Sequence, residues 1–217
     1  MKEIWLIRHA ESEANAGLRT SVPAEVALTT RGMAQAKIVA ALFDQAPPVI
    51  IISPYLRTRQ TAEPLLEKFP KVNVETWAMQ EFTYLSVAST RDSTFAERKP
   101  LVDAFWARSD PAYCDGKGAE SFASFWRRAK DAIDKIVTGA PDKTVIFCHA
   151  QFARAMLWQM LVAQDATAEV MRAFFLFMKA INIPNTAVIK LLIDAEQKDV
   201  YTSEIKFSHL PPNLLTY

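Results

Sequence analysis

The chain has 217 residues, half of them hydrophobic and 23% charged, as is typical of a globular protein with a substantial core. Its formal net charge of +1 excludes a global field that would attract nucleic acid or an anionic membrane, so neither is expected as a partner and any anion must be bound by a local cluster of cations. Two cysteines are too few for a disulfide framework or a cysteine-based zinc site, and no apolar run approaches the roughly 18 residues of a membrane span, so we expect a cytoplasmic protein.

Predicted strands and helices alternate over the first 77 residues. Short apolar runs indicate strands, and apolar residues spaced three or four apart indicate helices. In chain order the predicted elements are a strand at Ile4–Ile7, a loop over 10–29, a helix at Thr30–Phe43, a strand at Val49–Ile52, a helix from Pro54 to about Phe69 and a strand at Val72–Trp77. The first helix is predicted to bury one face, made of Met33, Ala36, Val39, Ala40 and Phe43.

The rest of the chain continues the alternation after a stretch that is harder to interpret. Residues 78–120 show only a helix at about Lys99–Ala107 and turns at Asp110-Pro111 and Asp115-Gly116. The later predicted elements are a helix at Ser121–Val137, a strand at Lys143–Phe147, helices at Ala150–Val162 and Thr167–Lys179, and strands at Thr186–Ile193 and Val200–Phe207 around a turn at Asp194–Lys198.

This alternation predicts an α/β fold, a three-layer αβα sandwich around a mostly parallel sheet, in which the last two strands form an antiparallel hairpin at one edge. With no linker or internal repeat, residues 1–217 are expected to form a single domain.

Polar residues end three of the buried strands. The first strand ends at Arg8 and His9, the second at Ser53 with Arg57 four residues later, and the fourth at His149. The carboxyl ends of parallel strands meet at one edge of a sheet, where ligands bind in open α/β folds. Each residue taken alone has an ordinary alternative, a structural histidine or a solvated arginine. Their convergence favours an anion site.

The residue types fit phosphoryl transfer. A neutral imidazole is a nucleophile near pH 7, and guanidinium groups offset the negative charge of a phosphate ester that would repel attack. Arg8, Arg57 and a protonated or hydrogen-bonding His149 can take the role that metal ions have in many phosphoryl-transfer enzymes. The leaving oxygen also needs a proton donor, usually a carboxylic acid.

Five blocks stand in a fixed order along the chain. They are Arg8-His9-Ala10-Glu11, Leu28-Thr29-Thr30-Arg31-Gly32-Met33-Ala34-Gln35-Ala36, Ser53-Pro54-Tyr55-Leu56-Arg57-Thr58-Arg59-Gln60-Thr61-Ala62, Gly118-Ala119-Glu120-Ser121 and the strand-end His149. The set resembles the motifs of the histidine phosphatase superfamily, also called phosphoglycerate mutase-like, and extends from residue 4 to about 192. Any one block alone is weak evidence for the family, but the five blocks in this order are specific to it.

The resemblance implies a metal-independent phosphomonoester hydrolase of the histidine acid phosphatase type, without a cofactor, in which His9 forms a phosphohistidine. It implies that Arg8, Asn15, Arg57 and His149 bind the phosphoryl group of a small phosphorylated substrate.

The resemblance also implies that Glu81 is the proton donor, since it follows the third strand as the family's donor does. From the sequence alone Glu11, Glu13 and Asp92 are rivals for this role.

Two alanines depart from the family pattern. Ala10 and Ala150 each replace a glycine after a histidine, so a tightly bent backbone at either position would be strained. Because alanine is the smallest such change, we expect an intact pocket.

Two alternative functions stay open, a 2,3-bisphosphoglycerate-dependent phosphoglycerate mutase and a pseudoenzyme that binds phosphorylated ligands. Mutases of this family carry a glycine-containing segment after the proton donor, whereas Phe82–Ser89 contains no glycine. A pseudoenzyme would lack the nucleophile or an arginine, and neither is missing. Residues 82–120 are expected to form a substrate cap, in which Arg91, Arg98 and Lys99 are surface charges or ligands of a second acidic group. Neither the substrate nor the oligomeric state can be predicted.

Overall fold

A computed structural model describes residues 1–194 and 199–217, with all of their side chains except that of Ser203. The strands are β1 (Lys2–Arg8), β2 (Val49–Ile52), β3 (Asn73–Thr76), β4 (Thr144–Cys148), β5 (Val188–Asp194) and β6 (Asp199–Lys206). The helices are α1 (Thr30–Ala41), α2 (Leu56–Lys68), α3 (Val87–Thr90), α4 (Phe95–Arg108), α5 (Phe122–Gly139), α6 (Ala150–Leu161) and α7 (Ala168–Ala180), and a 3₁₀ turn follows at Pro212–Leu214. Among the described residues, no helix is both long and apolar enough to cross a membrane.

The strands form one sheet in the order β3-β2-β4-β1-β5-β6. The first four of these pair in parallel, whereas β5 is antiparallel to β1 and β6 is antiparallel to β5. The predicted mostly parallel sheet with an antiparallel edge is therefore confirmed. Apart from Asp194, the predicted turn at Asp194–Lys198 lies outside the described residues.

Helices cover both faces of this sheet. Neighbouring residues of a strand point to opposite faces, so Ile50 and Ile52 pack with α1 and α2 while Val49 and Ile51 pack with the aromatic residues of α4 to α7. The predicted three-layer αβα architecture is confirmed, and the central strands β2 and β4 are buried along their whole length because helices cover both faces.

Helix α1 buries the predicted face except at its amino end. Met33 is 36% exposed, whereas the neighbouring Gln35 is fully buried. Phe43 is buried as expected but lies beyond the helix, which ends at Ala41. Gln35 is tolerated inside because its amide oxygen accepts from the Glu11 N–H and its amide nitrogen donates to the Leu214 carbonyl (2.6 Å).

The predicted strand at Val72–Trp77 is confirmed as β3, whereas α4 begins earlier than predicted. β3 is an edge strand whose four residues are all exposed, which explains its polar composition. α4 begins at Phe95 and not near Lys99, because Thr94 and Glu97 form a reciprocal capping box at its amino end. The short helix α3 was not predicted.

Candidate active site

The register of the sheet brings the two strand-end histidines together. Arg8 at the end of β1 is paired with Cys148 at the end of β4, so the next residue of each strand is a histidine at the same edge. The His9 N–H donates to the Cys148 carbonyl (2.9 Å), and the rings of His9 and His149 lie 5.1 Å apart between centroids. Both side chains are buried.

The hydrogen bonds of His9 define its tautomer. Its Nδ1 lies 2.7 Å from the Ala10 carbonyl oxygen, which can only accept, so Nδ1 carries the proton. Its Nε2 accepts from the Nε–H of Arg57 at 3.2 Å and therefore presents a lone pair. Burial, reinforced by Arg57 and Arg8, holds the pKa of His9 well below its usual value, so the ring is neutral at pH 7.

Two buried arginines flank this lone pair. Arg57 donates from Nη1 to the Pro23 carbonyl (2.7 Å), and Arg8 donates from Nη1 to the Ile183 carbonyl (2.5 Å). Burial lowers the pKa of each guanidinium to about 10, opposed by the nearby Glu81 carboxylate, so both keep their charge at neutral pH. The Arg8 Nε is buried without a hydrogen-bond partner among the described residues. An unpaired buried donor of this kind is stabilised when an anion binds it.

His149 is also a neutral group. Burial lowers the pKa of His149 well below its usual value, with Arg57 adding to the effect, which favours the hydrogen-bonding form over the protonated one. Its Nε2 lies 2.6 Å from the Ser53 Oγ at the end of β2. Its Nδ1 is buried and has no partner among the described residues.

Glu81 reaches the same edge from the coil between β3 and α3. Its carboxylate lies at the amino end of α6, where Gln151 N–H donates to both oxygens (3.1 and 3.2 Å) and Phe152 N–H to one (3.2 Å). It acts electrostatically on both Arg8 and Arg57.

The structure separates Glu81 from its rivals. Glu11 turns away into α1, where it accepts from Thr29 Oγ1 (2.6 Å) and forms an ion pair with Arg31 (3.2 Å). Asp92 is exposed and lies in the segment between α3 and α4. Glu13 has no side-chain hydrogen bond or ion pair within residues 1–194 and 199–217, and no electrostatic contribution of Glu13 to the buried arginines is found. Within the described part of the chain, no group of three or more His, Cys, Asp or Glu residues is placed to ligate a metal ion.

Asn15 joins the site through a residue that the sequence reasoning missed. Asn185 donates from Nδ2 to the His9 carbonyl (3.0 Å) and to the Asn15 Oδ1 (3.3 Å). Ser12 N–H and Oγ–H also donate to that oxygen, so Nδ2 is the side-chain atom of Asn15 left to donate to a ligand. Asn185 precedes β5, and because β5 is antiparallel its amino end lies at the catalytic edge. Asn185 can be predicted from the sequence if polar residues before antiparallel strands are considered together with those that end parallel strands.

The two alanines that depart from the family pattern are not strained. Neither Ala10 nor Ala150 has a positive φ, and Ala150 is the first residue of α6. The Ala10 N–H donates to Thr61 Oγ1 at 3.0 Å.

The segment 82–120 is attached to the loop that follows β1. Thr20 and Ser93 exchange backbone hydrogen bonds of 3.1 and 3.3 Å, and Arg98 donates to the Thr20 carbonyl (2.7 Å) and to Ser93 Oγ (2.8 Å). Arg98 is thus a half-buried structural residue and not a free surface charge. Lys99 forms an i,i+4 ion pair on the surface of α4, and Arg91 is exposed.

A cavity of about 310 Å³ is lined in part by Tyr55. The Tyr55 ring also contacts the His149 ring (5.3 Å between centroids) and the Arg57 guanidinium (4.9 Å), so this residue connects the cavity with the site. The cavity is lined by Tyr55, Gln80, Thr83, Cys114, Gly118, Ala119, Glu120, Ser121 and Ser124.

Comparison with known proteins gives one consistent family. The family model described as histidine phosphatase superfamily (branch 1) matches residues 4–205. The adenosylcobalamin/alpha-ribazole phosphatase of Salmonella typhi is 28% identical over 170 residues, which span 76% of this chain and 82% of that protein.

Solved structures share the fold. The phosphoserine phosphatase of Entamoeba histolytica, crystallised with 3-phosphoglyceric acid, superimposes with a TM-score of 0.73 at 20% identity, covering 97% of this chain and all of that one. The alpha-ribazole phosphatase of Shigella flexneri gives a TM-score of 0.71 at 20% identity, covering 94% of this chain and 95% of that one.

Proposed function

The chain belongs to branch 1 of the histidine phosphatase superfamily, and from this premise we propose that it is a metal-independent phosphomonoester hydrolase that forms a phosphohistidine on Nε2 of His9. The observation that carries the proposal is the state of this imidazole. Its proton is held on Nδ1 by the Ala10 carbonyl, and its Nε2 lone pair faces the Arg57 guanidinium within the buried arginine pair.

In the first step the substrate's phosphoryl oxygens bind between the arginines. The unpaired Nε–H of Arg8, the Nε–H of Arg57 and the Nδ2 of Asn15 donate to them, and this replaces the resting hydrogen bond between Arg57 and His9. A neutral His149 donates from Nδ1, the nitrogen that has no partner among the described residues, while its Nε2 accepts from Ser53 Oγ–H. His9 Nε2 then attacks phosphorus, the ester P–O bond breaks, and Glu81 gives its proton to the leaving oxygen.

In the second step the phosphohistidine is hydrolysed. The Glu81 carboxylate, having lost its proton, takes one from a water molecule as the water oxygen attacks phosphorus. The P–N bond breaks, inorganic phosphate leaves, and His9 and Glu81 return to their starting states. No metal is needed in this scheme because two guanidinium groups stabilise the charge that develops on the phosphoryl oxygens.

The leaving group is expected to occupy the cavity beside Tyr55, under the cap formed by residues 82–120. Gln80 and Thr83 line that cavity and bracket Glu81 in the chain, so the leaving oxygen would lie next to the proton donor. The named relatives act on phosphoserine and alpha-ribazole phosphate, small phosphorylated molecules, and a substrate of this size is what the cavity accommodates.

Trapping the intermediate tests the mechanism. The protein is mixed with ³²P-labelled substrate or p-nitrophenyl phosphate and quenched in alkaline detergent, because the P–N bond of phosphohistidine hydrolyses in acid. Mass spectrometry of the peptide containing His9 should show one added phosphate. The His9→Ala variant should lose this adduct and nearly all phosphatase activity.

Hydrolysis that survives His9→Ala without any phosphohistidine would contradict the mechanism. A bisphosphoglycerate-dependent isomerase assay on 3-phosphoglycerate separates a mutase from a phosphatase: we expect release of inorganic phosphate and no isomer. Binding of p-nitrophenyl phosphate without turnover would instead indicate a pseudoenzyme.

A further inference from the structure

The position of Glu81 depends on contacts outside the phosphoryl site. Glu81 lies in coil between β3 and α3, a kind of segment that is mobile unless other elements hold it. A proton donor must keep its place to within about 0.5 Å of the productive geometry. The amide groups of Gln151 and Phe152 hold its carboxylate, but they do not hold its backbone.

Arg128 of α5 binds the backbone just before Glu81. Its Nη1 donates to the carbonyls of Ala78 (3.0 Å) and Gln80 (2.8 Å). Its Nε and Nη2 form a two-pronged bond to the carboxylate of Glu120, at 2.9 and 2.6 Å. The two side chains are only 14% and 20% exposed, so this pair is better shielded from water than an ordinary surface ion pair.

The same pair also holds the chain just after Glu81. The backbone N–H of Glu120 donates to the Thr83 carbonyl at 2.7 Å, so Arg128 and its partner residue contact the chain on both sides of Glu81. Between these two contacts Phe82 stacks on Phe125 of α5, with centroids 4.3 Å apart. The segment that carries Glu81 is therefore attached at three successive points, two of them on α5 and one at Glu120 just before it.

Arg128 links this segment to the helix that holds the carboxylate as well. Its guanidinium lies over the ring of Phe152 at 5.0 Å, and Phe152 is one of the two residues whose N–H binds Glu81. Arg128 thus contacts both the backbone just before Glu81 and Phe152, a residue whose N–H binds the Glu81 carboxylate.

We propose that Arg128, oriented by Glu120, is the positioning residue of the proton donor. The inference rests on the proposed function, in which Glu81 protonates the leaving oxygen. Arg128 touches no reacting atom in this scheme, and its loss displaces Glu81 without altering the His9 nucleophile.

This role has a kinetic signature that a merely structural role lacks. The ratio kcat/KM reports the steps up to formation of the phosphohistidine. In these steps p-nitrophenolate leaves unaided, whereas the strongly basic alkoxide of glycerol 3-phosphate needs the proton. A displaced Glu81 therefore lowers kcat/KM for the alkyl ester and spares it for the aryl ester.

The experiment compares Arg128→Lys, Arg128→Gln and Glu81→Gln with the wild type on both esters. Lysine keeps the charge of Arg128 but lacks the planar fork that reaches three partners at once. We expect Arg128→Lys to lower kcat/KM for glycerol 3-phosphate roughly 100-fold, as a displacement of about 1 Å can. The value for p-nitrophenyl phosphate should stay within a few-fold of wild type. Arg127→Lys, at the exposed neighbouring position of α5, is the matched control and should change neither.

A double-mutant cycle completes the test. If Arg128 acts through Glu81, adding Arg128→Lys to the Glu81→Gln variant lowers kcat/KM for glycerol 3-phosphate no further. Equal losses on both esters, or a full additional loss in that background, would show a structural role and overturn the inference, while the proposed function would stand. If Glu81→Gln lowers kcat/KM equally for both esters, Glu81 is not the proton donor. The assignment of Glu81 and this inference are then both wrong. If Arg128→Lys does not fold, Arg128→Gln is judged by the same criteria.

Discussion

At the scale of single residues, the environment of His9 determines its chemistry. A histidine in water has a pKa of about 6.5 and is partly protonated, and so partly inactive as a nucleophile, below neutral pH. Burial and the two arginines lower the pKa of His9, so the neutral nucleophile persists in mild acid. The carbonyl of Ala10 then decides which nitrogen is the nucleophile.

This leads to a prediction for the pH dependence of the reaction. The acidic limb of the kcat/KM profile for p-nitrophenyl phosphate should lie below about pH 6.5, since His9 loses reactivity only when it is protonated. After correction for the ionisation of the substrate, a limb centred at or above that pH would contradict the assignment. Arg57→Met removes one of the charges that keep His9 neutral, so the limb of the residual activity should move to higher pH.

At the scale of secondary-structure elements, one glycine sets how closely α1 approaches the nucleophile loop. A Cβ on Gly32 would lie 2.1 Å from the Glu11 carbonyl oxygen, well inside van der Waals contact. That carbonyl also accepts from the Thr29 N–H at 3.0 Å, where Thr29 is the N-cap of α1. The close contact therefore fixes the start of the helix against the loop two residues after His9.

Gly32→Ala is accordingly predicted to be harmful although alanine favours helices. The methyl group must push α1 away from the loop, which should lower the free energy of unfolding by about 1–3 kcal/mol, as overpacking does. Activity should fall as well, because the displaced loop carries His9. Urea denaturation and kcat/KM for p-nitrophenyl phosphate measure the two effects.

Gly139→Ala is the matched control. Gly139 ends α5, and among the described residues no atom outside its chain neighbours and its own helical turns lies within 4 Å of the position that an alanine methyl group would take there. The substitution should therefore be neutral or slightly stabilising. Equal stability of the Gly32→Ala and Gly139→Ala variants would contradict the proposed contact.

At the scale of the whole molecule, the buried neutral histidines couple stability to pH. Folding lowers the pKa of both His9 and His149, so between their folded values and about pH 6.5 the unfolded chain binds more protons than the folded one. Stability is therefore greatest above this window and decreases as the pH falls through it.

The free energy of unfolding is predicted to fall between about pH 6.5 and pH 5, with a slope of at most about 1.4 kcal/mol per pH unit for each histidine. Urea denaturation should be carried out in a buffer without phosphate, since an anion bound between the arginines would stabilise the folded state. His149→Asn should reduce the slope. A flat profile in this range would show that the histidines are not held neutral in the fold.

Much of the architecture was determined by the sequence alone. The periodicity of apolar residues is a local property, so it located all six strands, the long helices and the antiparallel edge. Polar residues at strand ends also converge by a general rule of parallel sheets, and the structure does bring Arg8, His9, Arg57 and His149 together. The ordered motifs are sufficient to identify the family without the tertiary structure.

Only the tertiary structure decided what depends on distant neighbours. It buried Gln35 in place of Met33, placed Glu81 and not Glu11 beside the arginines, and made Arg98 part of a loop contact. The physical reason is common to all three. A polar side chain is buried or exposed according to the partners it finds, and those partners come from segments far away in the chain. Sequence periodicity reports which residues share a face of one element, whereas the register of the sheet and the helix contacts decide what that face meets.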